Sequence, residues 1–184
     1  MNTIQNKSLW FLVAAVAVSG GLNAYLLQTD HPALFFLLPP ASWSLALLLP
    51  IHSQLKDKRF AYFLFPSAIF CLWMAMLVLS VTLGNILLKA SPSIAYPIIG
   101  GIAAWASYLL YAHLVLSRFS AAVSVFSFAM GYVAFVLNSF VEPSDKIFLE
   151  QKTTLFLLWQ ILTGAGHALA YYKFCSAKTE SVTS

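Results

Sequence analysis

The chain has 184 residues, 60% of them hydrophobic and 9% charged, with a formal net charge of +4 and a mean hydropathy of +0.82. An ordinary soluble domain is about 25% charged, so this chain has too little polar surface to face water and is expected in a bilayer. Its ten Lys and Arg form no aromatic-interleaved patch, which excludes a nucleic-acid surface, and Cys71 and Cys175 offer no metal-binding spacing.

The charged residues fall in short clusters between apolar runs of roughly 20 residues or more, the length that crosses about 30 Å of hydrocarbon at 1.5 Å per residue. Nothing alternates with the period of a barrel strand, so the spans are helices. The expectation is an all-α, six-transmembrane-helix bundle forming one domain over residues 1–184. Its spans are placed at about 9–28, 33–55, 60–88, 93–116, 120–141 and 153–174.

The first run follows Lys7 and has small residues at Ser19, Gly20 and Gly21, a pattern shared with signal peptides. It stays apolar through LNAYLLQ and is read as a retained span. Ala14, Ala17, Gly21, Ala24 and Gln28 form a narrow, mostly small-residue strip on it, suited to close helix contact. After a turn at 29–32, the second run is interrupted by Pro39 and Pro40, which remove two amide donors, so a kink or a short unwound segment is expected. Freed backbone groups within a bilayer need a partner or a water-lined cavity, which makes Pro39 and Pro40 candidate ligand-site residues.

The third run is longer than a perpendicular span needs and carries Pro66 near its start, so tilt and a bend are expected. Residues 93–141 contain one charge, Arg118, and as one helix would reach about 70 Å, so the chain must turn back near 117–120. On the fifth span Ser120, Ser124, Ser127, Gly131, Ala134 and Asn138 recur at alternating steps of four and three, a seam for tight packing. Gly100, Ala104, Ser107 and Tyr111 on the fourth span are its expected partner. A polar, acidic connection from Glu142 to Lys152 leads to the sixth span.

With the N-terminus inside, Lys7, Lys56, Lys58, Arg59, Arg118, Lys173 and Lys178 face the cytoplasm and only Lys89, Lys146 and Lys152 face out. The positive-inside rule therefore places both termini in the cytoplasm and the chain as a multi-pass protein of a plasma or inner membrane.

The sixth span carries Gln160, Thr163, His167 and Tyr171 at steps of three and four, one polar stripe on an otherwise apolar helix. These four residues, with Pro39 and Pro40, are the candidate ligand-binding set. His167 is expected to face the interior as a neutral imidazole, lining a narrow cavity that opens toward the cytoplasm near Pro39-Pro40. His113 and His167 lie at similar depth below Arg118 and Lys173, so axial ligation of a b-type haem is a second use for them. Against it, His113 shares a face with Ile102, Ala106 and Leu109, away from Ser107 and Tyr111, which suits an interfacial histidine. No Asp or Glu lies within a span, which disfavours a carboxylate-driven pump, and no catalytic or metal motif appears.

Three functional classes remain open. The first is a transporter, channel or solute-binding component for a small neutral or weakly polar ligand, and the second a non-catalytic subunit or assembly partner of a larger membrane complex. The third is a haem- or quinone-binding redox anchor. The lipid bilayer is the expected partner in each, with a homo-oligomer or another membrane protein as a further one.

Overall fold

The computed structural model describes residues 3–26, 32–55, 57–87, 92–141 and 152–183. The connections expected at 29–31, 89–91 and 142–151 lie outside the described residues, as do the side chains of Ala24, Gln28, Asn85, Cys175 and Lys178. Among the described residues six α-helices follow one another: α1 (Thr3–Leu26), α2 (Pro32–Leu48), α3 (Lys58–Leu87), α4 (Pro92–Leu110), α5 (Ala121–Val141) and α6 (Lys152–Thr183). No strand occurs among the described residues. Windows in α3 (Lys58–Ser80), α4 and its continuation (Tyr96–Leu116) and α5 (Ala121–Asn138) are long and apolar enough to cross a membrane. α1 holds a shorter apolar stretch, Lys7–Asn23.

Each helix packs on its neighbours in sequence, and α6 closes the ring against α1. The outer surface is apolar, with Trp10, Val18 and Val125 each 70% exposed, so hydrocarbon rather than water suits it. The interior holds Leu12, Trp43, Phe65, Tyr108, Tyr111 and Tyr171.

Hydrocarbon solvates apolar side chains as well as a protein core does, so close approach between helices rests on packing and polar contacts. α4 and α5 show this most clearly. A Cβ on Gly131 would overlap the Gly100 carbonyl oxygen and the Ala104 Cβ, and one on Gly101 would meet the Phe128 ring. Farther down the pair, Trp105 Nε1 donates to Ser124 Oγ (2.6 Å), and Tyr108 OH spans the Ser120 amide (2.9 Å) and carbonyl (3.1 Å). The contact is antiparallel, and the α4 face involved shifts from Gly100 and Ala104 to Trp105 and Tyr108. Helices that cross at an angle present successive ridges in this way. Ser107 and Tyr111, expected on this seam, are therefore turned to the interior, and Ser127 faces Gly166 of α6 instead of α4.

Several local expectations are corrected. α2 runs as a helix through Pro39 and Pro40 with no unwound segment. Two adjacent prolines leave only the carbonyls one turn earlier without amide donors, and the serines that follow fold back on the turn, Ser44 Oγ to Pro40 O (2.7 Å) and Ser42 Oγ to Pro39 O (3.3 Å). α3 is one helix of 30 residues that includes Pro66, longer than a perpendicular span needs, as expected. The strip Ala14, Ala17 and Gly21 lies on the outside, with nothing within 4 Å of a Cβ at Gly21. The packing face of α1 is Leu12, Val16, Ser19, Gly20 and Asn23. α6 extends beyond the expected end at 174 to Thr183, because no Pro or Gly follows Gly166 to stop it.

The helix ends are defined by specific bonds. A 3-10 segment (Leu49–Gln54) finishes α2, and Asp57 caps α3 by accepting the Phe60 amide (3.0 Å). α4 passes into a π-helical turn (Tyr111–Leu116) that ends at Ser117, φ 53°, where the Arg118 amide bonds back to Ala112 O (2.9 Å).

Candidate ligand-binding cavity and its polar backing

The polar stripe of α6 is wholly interior: Gln160 is 2% exposed, and Thr163, His167 and Tyr171 are fully buried. Uncompensated polar groups in such surroundings are costly, and the neighbours supply partners at three levels along the helix. At the upper level Ser19 Oγ donates to Gln160 Oε1 (3.1 Å) and lies 3.2 Å from Ser42 Oγ, which Asn23 Nδ2 reaches at 2.8 Å. At the lower level Gln54 Nε2 donates to Tyr171 OH.

The middle level is centred on His167. Its Nδ1 lies 2.9 Å from the Thr163 carbonyl, which can only accept, so Nδ1 carries the proton. In the neutral ring Nε2 then accepts, and the Ser107 hydroxyl at 3.2 Å donates to it while accepting from Trp43 Nε1 at 3.1 Å. Trp43 packs edge-on against the imidazole at 5.3 Å between centroids, and Tyr111 lies at 5.1 Å. The π turn begins at Tyr111; such single π turns occur often at functional sites. The hydroxyls of Thr163 and Ser127 are buried with no hydrogen-bond partner among the described residues.

A cavity of about 100 Å³ lies beside this column. It is lined by Pro39, Pro40 and Trp43 of α2, Trp73 and Met76 of α3, Ala103 and Ser107 of α4, and Trp159 and Gln160 of α6. The lining is almost entirely apolar. Of the six candidate site residues it brings Pro39, Pro40 and Gln160 together. Thr163, His167 and Tyr171 are not in its wall, because the Trp43 and Tyr111 rings fill the space around the imidazole. His167 reaches the cavity only through Ser107 and Trp43.

The position of the cavity corrects a second expectation. Pro40, Gly100 and Gln160 each lie eight residues after the first residue of their helices, roughly 12 Å in, whereas His167 is roughly 22 Å in. The cavity therefore occupies the half of the bundle nearest the N-terminal ends of α2, α4 and α6. It does not open at the end that carries Lys58, Arg59 and Arg118. The haem pairing is also not formed: His113 is exposed and stacked on Phe119 at 6.1 Å, while both ring nitrogens of buried His167 are engaged by Ser107 and Thr163.

Trp43, Trp73 and Met76 were not singled out by the sequence. Their one signal there is a tryptophan or methionine in mid-run, which reads equally well as lipid-facing. No family model, no curated protein and no solved structure matches the chain. The described residues are helical throughout their regular structure, and three of their helices are long and apolar enough to cross a membrane, which points to a membrane-embedded protein.

Proposed function

We propose that the protein spans the membrane six times with both termini cytoplasmic and binds a small, neutral, mostly apolar molecule in this cavity, as a transporter or membrane solute-binding component. The cavity at Pro39, Pro40 and Gln160 carries the reading. Its walls offer no counter-charge, and an ion there would meet the full cost of desolvation. The orientation rests on seven basic residues on one side against three on the other. In that orientation the cavity lies in the outer half of the bundle, with the His167–Ser107–Trp43 chain of bonds beneath it.

Ala103→Phe tests the reading by placing a ring in the cavity. Wild-type protein purified in mild detergent is expected to carry a bound apolar molecule detectable by native mass spectrometry, and the variant to lack it. Equal content in two equally folded proteins refutes the reading. A cytoplasmic signal from a reporter inserted at 142–151 refutes the topology.

One observation favours assembly with another chain as the second reading: the small-residue strip Ala14, Ala17 and Gly21 faces outward. Such strips let helices approach closely, and copurification of a stoichiometric partner that a Gly21→Leu substitution abolishes supports it.

A further inference from the structure

Gln160 stands out among the cavity residues. It is 2% exposed and lines the wall, and the Ser19 hydroxyl donates to its Oε1, which makes Nε2 the end of the amide that can donate to a molecule in the cavity. Three other polar side chains of the wall already have partners. Ser107 accepts from Trp43 and donates to His167, Trp159 Nε1 donates to Gly100 O (3.2 Å), and the Ser80 hydroxyl donates back to Met76 O (2.7 Å). A buried amide N–H with no acceptor is unfavourable, and more so with hydrocarbon outside the bundle than with water. A ligand that brings an acceptor to Nε2 avoids that cost on binding.

We infer that the ligand of this cavity is an apolar molecule bearing a carbonyl oxygen, which accepts a hydrogen bond from Gln160 Nε2 while its hydrocarbon portion lies between Trp43, Trp73 and Met76. The inference rests on the cavity-binding reading above and adds the chemistry of the ligand. Ser19 orients the amide by holding Oε1, and the Asn23–Ser42 pair beside it restrains Ser19. At about 100 Å³ the cavity is smaller than the roughly 150 Å³ space that admits benzene, so the part of the ligand held between these side chains is short. Lipid esters, ketones and quinones share the required oxygen.

The test uses the purified full-length protein in detergent and two probes of equal length, 1-bromohexane and 6-bromo-2-hexanone. Bromine quenches tryptophan fluorescence, and Trp43, Trp73 and Trp159, three of the five tryptophans, line the cavity. The ratio of the two affinities in wild type, divided by the same ratio in Gln160→Met, removes the difference in micelle partitioning. That quotient is expected to be about five to ten in favour of the ketone, the size of one net hydrogen bond. A quotient of one with both probes binding overturns the carbonyl inference and leaves the cavity reading standing. Absence of saturable quenching by either probe overturns both.

Should Gln160→Met fail to fold, the C=O stretch of ¹³C-labelled ketone bound to wild type decides: a shift to lower frequency supports the bond, and an unshifted band overturns it. A bromoalkyl methyl ester and a bromoalkyl benzoquinone run in parallel assign the oxygen to a lipid ester or a quinone by which binds more tightly.

Discussion

Gly131→Ala and Gly21→Ala make the same chemical change and are expected to have opposite effects. At Gly131 the added Cβ overlaps the Gly100 carbonyl oxygen and the Ala104 Cβ, which belong to the α4 backbone and its first side-chain atom and cannot rotate away. The helices must separate along the most extensive interface of the bundle, loosening the Phe135 contact at Gly100 and the Trp105–Ser124 bond. Overpacking of this kind costs about 1–3 kcal/mol. The gain in helix propensity from replacing glycine is about 1 kcal/mol, so a net loss of up to about 2 kcal/mol is expected. At Gly21 nothing lies within 4 Å of the new Cβ, so only the propensity gain remains, up to about 1 kcal/mol. Reversible unfolding in mixed micelles, monitored by circular dichroism, measures both. Equal shifts for the two variants, or stabilisation by Gly131→Ala, would refute the close approach of α4 and α5.

The α1–α6 contact permits a rescue experiment: a Cβ at Gly164 overlaps Val16 Cγ1, so Gly164→Ala is expected to destabilise by about 1–2 kcal/mol, and adding Val16→Ala to recover part of that loss. Additive losses in the double variant would show that the two sites do not touch. His167→Leu removes the acceptor of the Ser107 hydroxyl and is expected to cost about 1–2 kcal/mol and to alter Trp43 emission, whereas His113→Leu on the outer surface changes neither. Indistinguishable stability and emission spectra for the two variants would remove His167 from its place behind Trp43.

The helices were legible in the sequence because hydrocarbon thickness and backbone hydrogen bonding demand an uninterrupted apolar segment, and composition records that directly. The expected runs begin within six residues of the observed helices at every N-terminal boundary. The inward face of α6 was legible for a related reason: four polar side chains at helical spacing, Gln160 to Tyr171, cannot all face lipid without partners. Where a helix is apolar all round, no such asymmetry exists. Small residues on α1 therefore suggested a contact face at Ala14, Ala17 and Gly21, and packing chose Val16, Ser19 and Gly20 instead. Ser107 illustrates the same limit: on the helical wheel it shares a side with Gly100 and Ala104, and only the crossing of α4 over α5 turns it toward Trp43 and His167. The cavity depends on the meeting of residues from α2, α3, α4, α5 and α6, and the end of the Gln160 amide that can donate into it depends on which end Ser19 holds. These are relations between helices, set by crossing angles and side-chain volumes, and a one-dimensional pattern of polarity carries no record of them.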